Sequence, residues 1–367
     1  MSENNSANSR VGSISLPVGR LHVEVTSHCN FSCEFCPDSR MERERGSMDI
    51  ELLKGILDEV VMEKITGKVF FHVMGEPLLY PHLADAIGYA TERGLYTSVT
   101  TNGSLLTDAL LGDLMDAGVS NITLSLQTPD ETTFGLRGAR GIDFHDYKER
   151  VRDIARRLMD EGRTEFCISF LSSPLRRLII PVMPEISIAD TSKSLKAYLL
   201  NWAEYILRGT EYEADLGKVG KEIKRVGSFK ENSIEIGPRV FFKTRIMGDW
   251  AVHSLNGGVK ARIGFCPAIQ ENFGVLWNGD VVFCCVDFEG KTAVGNVRDM
   301  TLLECLKSRQ MQEAARGFKR FRVLHPHCRR CMGDRNHLNA IVRQLGSIVY
   351  FKGWRKIFPR KGSDTNV

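Results

Sequence analysis

Hydrophobic residues in the first two thirds of the chain alternate between two periodicities. Short runs rich in β-branched and aromatic residues, such as "LHVEVT" (21–26) and "KVFFHVM" (68–74), are typical of buried strands. Stretches with apolar residues at helical spacing lie between them, such as "MDIELLKGILDEVVM" (48–62), for which Asp49 is the predicted N-cap. The same patterns predict further strands at 96–103, 121–128, 164–171 and 239–247, and further helices at 82–94, 106–118, 144–162, 194–209 and 216–227.

The alternation of strands and helices predicts an α/β fold. Such units pack as a parallel sheet covered by helices, and five or six of them form a complete or a partial barrel. Near residue 248 the pattern changes, because glycines and cysteines become frequent and short strands are expected to replace helices. We therefore predict a disordered tail at 1–16, a core domain at 17–247, a second domain at 248–345 and a basic tail at 346–367.

Four loops of the predicted core follow the carboxyl ends of strands. They are the cysteine loop "HCNFSCEFCP" (28–37), "GEP" (75–77), "TNG" (101–103) and "SLQT" (125–128). Ligands of parallel α/β sheets bind at this edge, where the loops after neighbouring strands meet. The sequence therefore predicts one functional site that is built from these four loops.

Composition narrows the classes of function. The 367 residues are 43% hydrophobic and carry a net charge of only +4, which argues against a nucleic-acid binder held mainly by phosphate contacts. No apolar run reaches a length of about 18 residues, as a membrane span requires, and the polar start "MSENNSANSR" lacks the apolar core of a signal peptide. We expect a cytoplasmic protein, whose 10 cysteines serve metal ligation or catalysis and not disulfides.

The cysteine loop holds Cys29, Cys33 and Cys36. A cubane iron–sulfur cluster has four irons that each need a ligand, and ferredoxin-type sites provide four thiolates. Three thiolates leave one iron open to a small molecule, as catalytic zinc sites leave one position open. The alternative is a zinc site completed by His28 or His22, although zinc sites more often use two separated pairs of ligands.

The cysteine loop resembles the signature of the radical S-adenosylmethionine (SAM) superfamily, CxxxCxΦC, with Phe35 at the aromatic position. "MGEP" (74–77) is similar to the family's glycine–glutamate motif, which orients the amino group of SAM, with Met74 in place of a second glycine. "TNG", "LSLQT" and "FGLRG" (134–138) resemble later family segments, the last of which carries the arginine for the SAM carboxylate. The residues that the resemblance assigns to SAM are Phe35, Gly75, Glu76, Pro77, Asn102, Ser125, Gln127 and Arg137.

The resemblance covers roughly residues 17–247 and implies the chemistry of the family. There, the open iron chelates SAM through its amino and carboxylate groups, and an electron from the reduced cluster cleaves the S–C bond. The resulting 5′-deoxyadenosyl radical takes a hydrogen atom from a substrate. Three residues also have a purely structural interpretation: Glu76 as a helix cap or an ion pair, Arg137 as a surface ion pair and Asn102 as a turn residue.

The later cysteines Cys266, Cys284, Cys328 and Cys331 provide two separated ligands and a CxxC pair. Four thiolates suit either zinc or a [4Fe–4S] cluster. Beside a radical SAM core, the pattern resembles the shortened SPASM module called the twitch domain, which implies one auxiliary [4Fe–4S] cluster. Neighbours on a strand point to opposite faces, so only one of Cys284 and Cys285 is expected in the site, and Cys284 is the predicted ligand.

The remaining cysteines and two histidines have separate predictions. Cys285 and Cys167 are candidate hydrogen donors to a substrate radical, with packing as the alternative for Cys285. Cys305 is expected in the core. His325 and His327 are not expected to be ligands, because four thiolates already complete a site.

The resemblance implies a partial (β/α)6 TIM-like barrel followed by a small α+β domain of the twitch or SPASM type. It further implies an enzyme that oxidises or epimerises a carbohydrate-like small molecule, assisted by the auxiliary cluster and supplied with electrons by a flavodoxin- or ferredoxin-type protein. A peptide- or protein-modifying maturase is one alternative, and a non-catalytic zinc or iron–sulfur electron-transfer module is another. The basic, aromatic segment "IVYFKGWRKIFPRKG" (348–362) is expected to be a docked tail and not a membrane contact.

Overall fold

The computed structural model describes residues 10–173, 186–228, 230–247, 258–334 and 336–354. Within these ranges the strands form one nine-stranded sheet and one two-stranded hairpin. In chain order the strands are β1 (Arg10–Val11), β2 (Ile14–Ser15), β3 (Leu21–Val23), β4 (Lys68–Phe70), β5 (Tyr96–Thr101), β6 (Asn121–Gln127), β7 (Glu165–Ser172), β8 (Asn232–Gly237), β9 (Val240–Ile246), β10 (Phe273–Val275) and β11 (Val281–Val282).

Helices connect the strands and continue towards the C-terminus. None of those in the described ranges combines the length and the apolar character that a membrane span requires. They are α1 (Ile50–Met62), α2 (Leu83–Glu92), α3 (Asp108–Asp116), α4 (Glu131–Phe134), α5 (Phe144–Glu161), α6 (Ser192–Leu207), α7 (Leu216–Lys224), α8 (Ala268–Glu271), α9 (Leu302–Lys307), α10 (Arg309–Lys319), α11 (Pro326–Cys331) and α12 (His337–Ile348).

Six strands form a parallel sheet in the order β3-β4-β5-β6-β7-β9, as the alternating patterns predicted. At one edge β8 pairs antiparallel with β9. At the other edge β10 pairs parallel with β3, and β11 pairs antiparallel with β10, so that Gly274 lies between His22 and Val282. The C-terminal region therefore extends the sheet of the core domain.

Local signals explain where the helices begin and end. Helix α1 begins after Asp49, whose side chain accepts a hydrogen bond from the Leu52 amide (3.0 Å), as predicted. Helix α5 begins after Asp143 and ends at Gly162, whose φ of 63° glycine adopts without strain. The apolar face of α5 is buried against the sheet, and burial of each large apolar side chain contributes about 1.5–3 kcal/mol.

The fold corrects two expectations. Residues 10–16 do not belong to a disordered tail, because β1 and β2 pair and Ile14 is completely buried. After residue 258, helices and not short strands dominate. The reason is visible in α10, where Met311 and Phe318 are buried at helical spacing. The predicted boundary at 248 and the outermost parts of both predicted tails lie outside the described residues.

Candidate functional site

The cysteine loop continues from the carboxyl end of β3. Within it Cys29, Cys33 and Cys36 are partly buried. The Cys36 amide donates a hydrogen bond to the Cys33 carbonyl (3.0 Å), and a short 3-10 turn begins at Pro37. The three thiols lie within electrostatic range of one another. The loop thus turns its three cysteines towards a common space.

Two glycines let neighbouring segments approach this loop closely. Gly75 has a φ of 80°, and a Cβ there would lie 2.4 Å from the Thr26 carbonyl oxygen and 2.8 Å from that of His28. Gly138 has a φ of 55°, and a Cβ there would lie 2.2 Å from Ser32 Oγ. A side chain at either position would displace the loop, so both positions require glycine. The "GEP" and "FGLRG" segments therefore pack directly against the cysteine loop.

Burial raises the pKa of the thiols in the loop. The pKa of Cys29 rises to about 11 and that of Cys36 to about 12, in both cases chiefly because burial disfavours the thiolate. Burial also raises the pKa of Cys33, although the positive charge of Arg137 opposes this shift. The free thiols are therefore neutral at neutral pH, and a bound cation is what stabilises thiolates in such a place.

Glu76 is a buried carboxylate that holds the surrounding backbone. Its Oε1 accepts hydrogen bonds from the Thr101 hydroxyl (2.6 Å) and the Leu78 amide (3.1 Å), and its Oε2 accepts one from the Asn102 amide (2.7 Å). Glu76 thus caps the 3-10 turn that begins at Pro77, as its structural interpretation required. Burial raises its pKa, and Oε2 retains a lone pair that another donor can use.

Asn102 connects the end of β5 to the cysteine loop. Its Nδ2 donates to Asn30 Oδ1 (2.8 Å), and its Oδ1 accepts from the Ser104 amide (2.9 Å). The Tyr147 hydroxyl donates to the Asn102 carbonyl (2.8 Å). Asn30 directly follows a cysteine, but the sequence did not identify it as a site residue. Its partners Asn102 and Ser104 are distant in the sequence and come close only in the folded protein.

Arg137 is fully buried beside the cysteine loop and is not a surface ion pair. Its Nη1 donates to the carbonyls of Ser125 and Leu126, and its guanidinium lies 4.9 Å from the centre of the Phe31 ring. Its Nε is buried without a hydrogen-bond partner among the described residues. An unpaired cationic donor at this place suits an anionic ligand such as a carboxylate.

Strand β6 ends in a bulge beside Arg137. The register with β7 shifts between Leu124 and Gln127, and Gln127 has a φ of 58°, which strains a residue other than glycine. Ser125 Oγ donates to the Thr101 carbonyl (3.0 Å) and so joins the ends of β5 and β6. Phe35, by contrast, lies in the hydrophobic core. Among the residues assigned to SAM, Phe35 therefore has the clearest packing role.

The second cysteine group is assembled from three separate segments. Cys266 precedes α8, Cys284 follows β11, and Cys328 and Cys331 lie on α11. The thiol of Cys284 lies within electrostatic range of the other three, and burial raises its pKa and that of Cys328 well above the usual value. Burial raises the pKa of Cys266 to about 11. The four thiols therefore share one partly buried region, and they too need a cation to persist as thiolates.

Cys285 has different neighbours from Cys284. The main charges that oppose the rise of its pKa by burial are Arg20 and Arg245. Its thiol also remains within electrostatic range of Cys266. Cys284 and Cys285 lie in a bend after β11, so the premise that both lie on a strand is wrong. The two thiols nevertheless face different sets of charges.

The histidines near the second cysteine group have protein partners. His325 Nδ1 accepts from the His327 amide (3.3 Å), and its Nε2 lies 3.0 Å from Gln310 Nε2. His327 Nε2 lies 3.8 Å from Asp287 Oδ1. Within the described ranges, no three His, Cys, Asp or Glu side chains form a compact site for a single metal ion.

A polar cluster, here called the interior cluster, consists of Arg20, His22, His72 and Arg245, which interact electrostatically, and of Thr100, which the register of β4 and β5 places beside His72. The rings of His22 and His72 meet edge to face with their centres 5.1 Å apart. His22 Nε2, both ring nitrogens of His72 and the Thr100 hydroxyl are buried without a hydrogen-bond partner in the described part of the chain. Burial lowers the pKa of His72 to about 3 and that of His22 well below its usual value, so both rings are neutral. Such unpaired polar atoms suit a polar ligand.

Cys167 on β7 lies in a different polar group. Asn121 Nδ2 donates to its sulfur (3.4 Å), and its thiol donates to Glu165 Oε1 (3.3 Å). The same Glu165 oxygen lies 3.6 Å from Lys243 Nζ. Cys167 therefore already has hydrogen-bond partners within the protein. The arginines that act electrostatically on Cys285, by contrast, belong to the interior cluster.

The two cysteine groups lie towards opposite ends of β3. Cys29 lies beyond the carboxyl end of β3. Val282 on β11 is level with His22, and β11 runs in the opposite direction to β3, so Cys284 and Cys285 lie towards the amino end of β3. The interior cluster surrounds His22 and thus lies in the region between the two groups.

Two family models match this chain. The radical SAM superfamily model matches residues 23–171, which hold the cysteine loop and the loops packed on it. The chain therefore contains a radical SAM domain. An iron–sulfur cluster-binding domain, SPASM, matches residues 266–332, which hold the second cysteine group.

Curated relatives match parts of this chain. Over 106 residues it is 36% identical to the tungsten-containing aldehyde ferredoxin oxidoreductase cofactor-modifying protein of Pyrococcus furiosus, covering 29% of this chain and 30% of that relative. Over 108 residues it is 34% identical to the S-adenosyl-L-methionine-dependent 2-deoxy-scyllo-inosamine dehydrogenase of Niallia circulans, covering 29% of this chain and 43% of that relative. The matched region spans less than half the length of either relative.

A solved structure shares the fold. Streptococcus suis SuiB bound to the precursor peptide SuiA matches with a TM-score of 0.53 and 16% identity, over 87% of this chain and 75% of that one. At this identity the likeness shows the fold alone. Together with the two family models, it confirms the predicted α/β class with a C-terminal cluster-binding domain.

The two domains imply a [4Fe–4S] cluster that binds SAM and an auxiliary iron–sulfur cluster. The residues present fit both groups. The cysteine loop offers three thiols beside the unpaired Nε of Arg137, and the second group offers four thiols in one partly buried region. In both places the buried thiols need the positive charge that iron provides.

Proposed function

We propose that this protein is a radical SAM enzyme that oxidises or epimerises a small, polar, carbohydrate-like substrate held at the interior cluster. The observation that carries the proposal is the set of unpaired, buried polar atoms of His22, His72 and Thr100. Each unpaired atom costs roughly 1–3 kcal/mol, and the hydroxyl groups of a substrate can pair with all of them. The name of the Niallia relative, an inosamine dehydrogenase, supports this substrate class.

The proposal gives each cysteine group one role. Arg137 Nε receives the carboxylate of SAM, and the remaining lone pair of Glu76 Oε2 receives its amino group. When bound, the first cluster and SAM supply the removal of a hydrogen atom from the substrate. Ligands of the SAM-binding cluster are Cys29, Cys33 and Cys36, and ligands of the auxiliary cluster are Cys266, Cys284, Cys328 and Cys331.

Residues of the interior cluster bind and orient the substrate. A neutral imidazole both donates and accepts a hydrogen bond, so His22 and His72 can each hold substrate hydroxyls. Arg20 and Arg245 act electrostatically on both histidines. Their positive charge favours a neutral or anionic substrate group over an ammonium group at this end.

The role of Cys285 determines whether the reaction is an epimerisation or an oxidation. Its thiol lies within electrostatic range of Arg20 and Arg245 and can give a hydrogen atom to the substrate radical, which yields an epimer. The thiyl radical left on Cys285 would then take up one electron from the auxiliary cluster and a proton. If the thiol only packs, the substrate radical would instead lose a proton and one electron, the auxiliary cluster would take up that electron, and the product would be a ketone. Cys167 is the weaker candidate donor, because Asn121 and Glu165 already engage its sulfur.

The experiment uses anaerobically reconstituted protein with SAM, a chemical reductant and a panel of neutral sugars, sugar acids and aminocyclitols. We expect 5′-deoxyadenosine to form faster with a substrate, and deuterium at the reacting carbon to appear in it. A His72→Phe variant should bind the substrate more weakly. Absence of 5′-deoxyadenosine under all conditions would mean a non-catalytic cluster protein, and acceleration only by peptides would mean a peptide-modifying enzyme.

A matched pair of cysteine variants separates epimerisation from oxidation. In deuterated water, an epimerase that uses Cys285 incorporates solvent deuterium into its product. A Cys285→Ala variant should then still form 5′-deoxyadenosine without producing the epimer. The control is Cys305→Ala, a buried cysteine on α9 away from both cysteine groups in the chain, which should leave the product unchanged.

A further inference from the structure

Helix α12 is attached to the protein through its polar side. Gln344 Oε1 accepts hydrogen bonds from the amides of Arg262 (2.9 Å) and Ile263 (3.1 Å). Ser347 Oγ accepts one from the Phe265 amide (3.0 Å). On the same side, Ala340 is completely buried. This is the reverse of an ordinary surface helix, which turns its apolar side inward.

The opposite side of α12 is apolar and exposed. Its large hydrophobic side chains are among the most exposed of the described residues, from 53% for Ile341 to 73% for Leu338. Their spacing of three and four residues places them on one face of the helix. Here the exposed face of α12 means Leu338, Ile341, Val342 and Leu345 of the helix, together with Val349 directly after its end.

The sequence around this face is cationic. From residue 336 to residue 363 it contains six lysines and arginines and no aspartate or glutamate, whereas the whole chain has a net charge of only +4. A second copy of the same chain would bring two such cationic segments together, which like charges disfavour. An occupant with an apolar interior and a negatively charged surface matches both properties.

In contrast to the docked tail expected from the sequence, we propose that the exposed face of α12 binds the surface of a membrane that contains anionic lipids. The apolar side chains enter the boundary between headgroups and acyl chains, and the positive charge of this part of the sequence attracts the anionic headgroups. The helix lies in the plane of the membrane. The docked polar side then holds the SPASM region at the lipid surface through Gln344 and Ser347.

The experiment is sedimentation of the full-length, reconstituted protein with vesicles. One preparation is phosphatidylcholine alone, and the other contains about 30% phosphatidylglycerol. We expect binding to the anionic vesicles, at least tenfold weaker binding to the neutral ones, and weakening between about 0.1 M and about 0.5 M salt. Equal binding to both vesicles would overturn the electrostatic part of the proposal, and no binding to either would overturn all of it.

Matched variants test the face itself. Leu338→Ser, Ile341→Ser and Leu345→Ser together should weaken vesicle binding by about 100-fold, since three large apolar side chains no longer enter the lipid. The control carries Val61→Ser, Met62→Ser and Leu200→Ser, which are exposed apolar residues on α1 and α6, and it should bind like the parent. Circular dichroism on heating verifies that both variants fold.

Other occupants give distinct results. If sedimentation velocity shows a dimer that the α12 triple variant disrupts, while vesicles do not bind, the face joins two copies and the proposal is wrong. Equal vesicle binding by parent and folded α12 variant would also contradict it. These measurements need neither SAM cleavage nor a substrate, so failure of the membrane proposal leaves the proposed enzymatic function standing.

Discussion

The two cysteine groups are built in opposite ways. Cys29, Cys33 and Cys36 lie on one short loop directly after a strand. The second group collects Cys266, Cys284 and the pair on α11 from segments that are far apart in the chain. The first group is local and depends on two neighbouring glycines for its position, whereas the second exists only once the whole C-terminal region has folded.

This difference teaches where each group is vulnerable. The three cysteines of the first group are close in the sequence and therefore stay close together even in the unfolded chain. Their arrangement is most sensitive to changes at Gly75 and Gly138, where adjacent segments pack against the cysteine loop. In the second group the thiols converge only in the native fold, so metal binding contributes directly to the stability of that fold. The predictions below separate the two groups, in order of decreasing effect.

Removal of the first group should have the largest effect. With Cys29→Ala, Cys33→Ala and Cys36→Ala together, SAM cleavage should disappear and iron should fall from about eight to about four atoms per chain. Iron, sulfide and zinc analysis after anaerobic reconstitution checks the metal. Unchanged iron, or zinc in place of iron, would show that the cysteine loop does not hold the predicted cluster.

Adjacent cysteines in the second group provide a sharper comparison. Cys284→Ala should reduce iron from about eight to about four atoms and lower the temperature of unfolding, because the auxiliary cluster loses a ligand. Cys285→Ala should keep about eight irons. If instead Cys285→Ala loses iron and Cys284→Ala keeps it, Cys285 is the ligand of the auxiliary cluster. Cys285 could then not serve as the hydrogen donor.

A change at Gly75 tests the packing against the first group. Gly75→Ala places a Cβ 2.4 Å from the Thr26 carbonyl oxygen at a φ of 80°, so the free energy of unfolding should fall by about 3 kcal/mol. Gly55→Ala is the matched control, since a Cβ there meets nothing within 4 Å, and it should stabilise α1 by about 0.5–1 kcal/mol. Urea unfolding of both variants, made under identical anaerobic conditions, provides the measurement.

The interior cluster, which lies between the two cysteine groups, should make the free energy of unfolding depend on pH. The pKa of His72 is lowered to about 3, so the folded state keeps this ring neutral, and stability is lost as the pH falls from the usual histidine pKa towards that value. Between pH 7 and about pH 5 the loss is about 2 kcal/mol. His72→Gln should remove the part of the pH dependence that His72 contributes and leave the part from His22, whereas the exposed His145→Gln should retain both parts in urea unfolding.

Features encoded within one segment could be predicted from the sequence. The parallel sheet followed from alternating patterns, the N-cap at Asp49 from its position before an apolar helix, and the first cysteine group from its spacing. The match of the SPASM domain to residues 266–332 agrees with the later cysteine pattern. In each case the information lies within a few residues of the element that it specifies.

Features that depend on partners far apart in the chain could not be predicted. His22 and His72 meet only because β3 and β4 pair, and neither residue stands in a distinctive local pattern. Asn30 acquires its role only where β5 ends beside the cysteine loop. The inverted orientation of α12 depends on where residues 262–265 present their backbone amides.

The pairing of β10 with β3 has a consequence for the synthesis of this protein. The outer neighbour of β3 is β10, the last strand but one of the sheet to be translated, and it follows β3 by about 250 residues. At about 5–20 residues per second, this is a delay of roughly 10–50 s. During that interval the outer edge of β3 is open to strands of other nascent chains. Slower initiation or a bound chaperone should therefore raise the yield of native protein, and a chain stopped before β10 should aggregate.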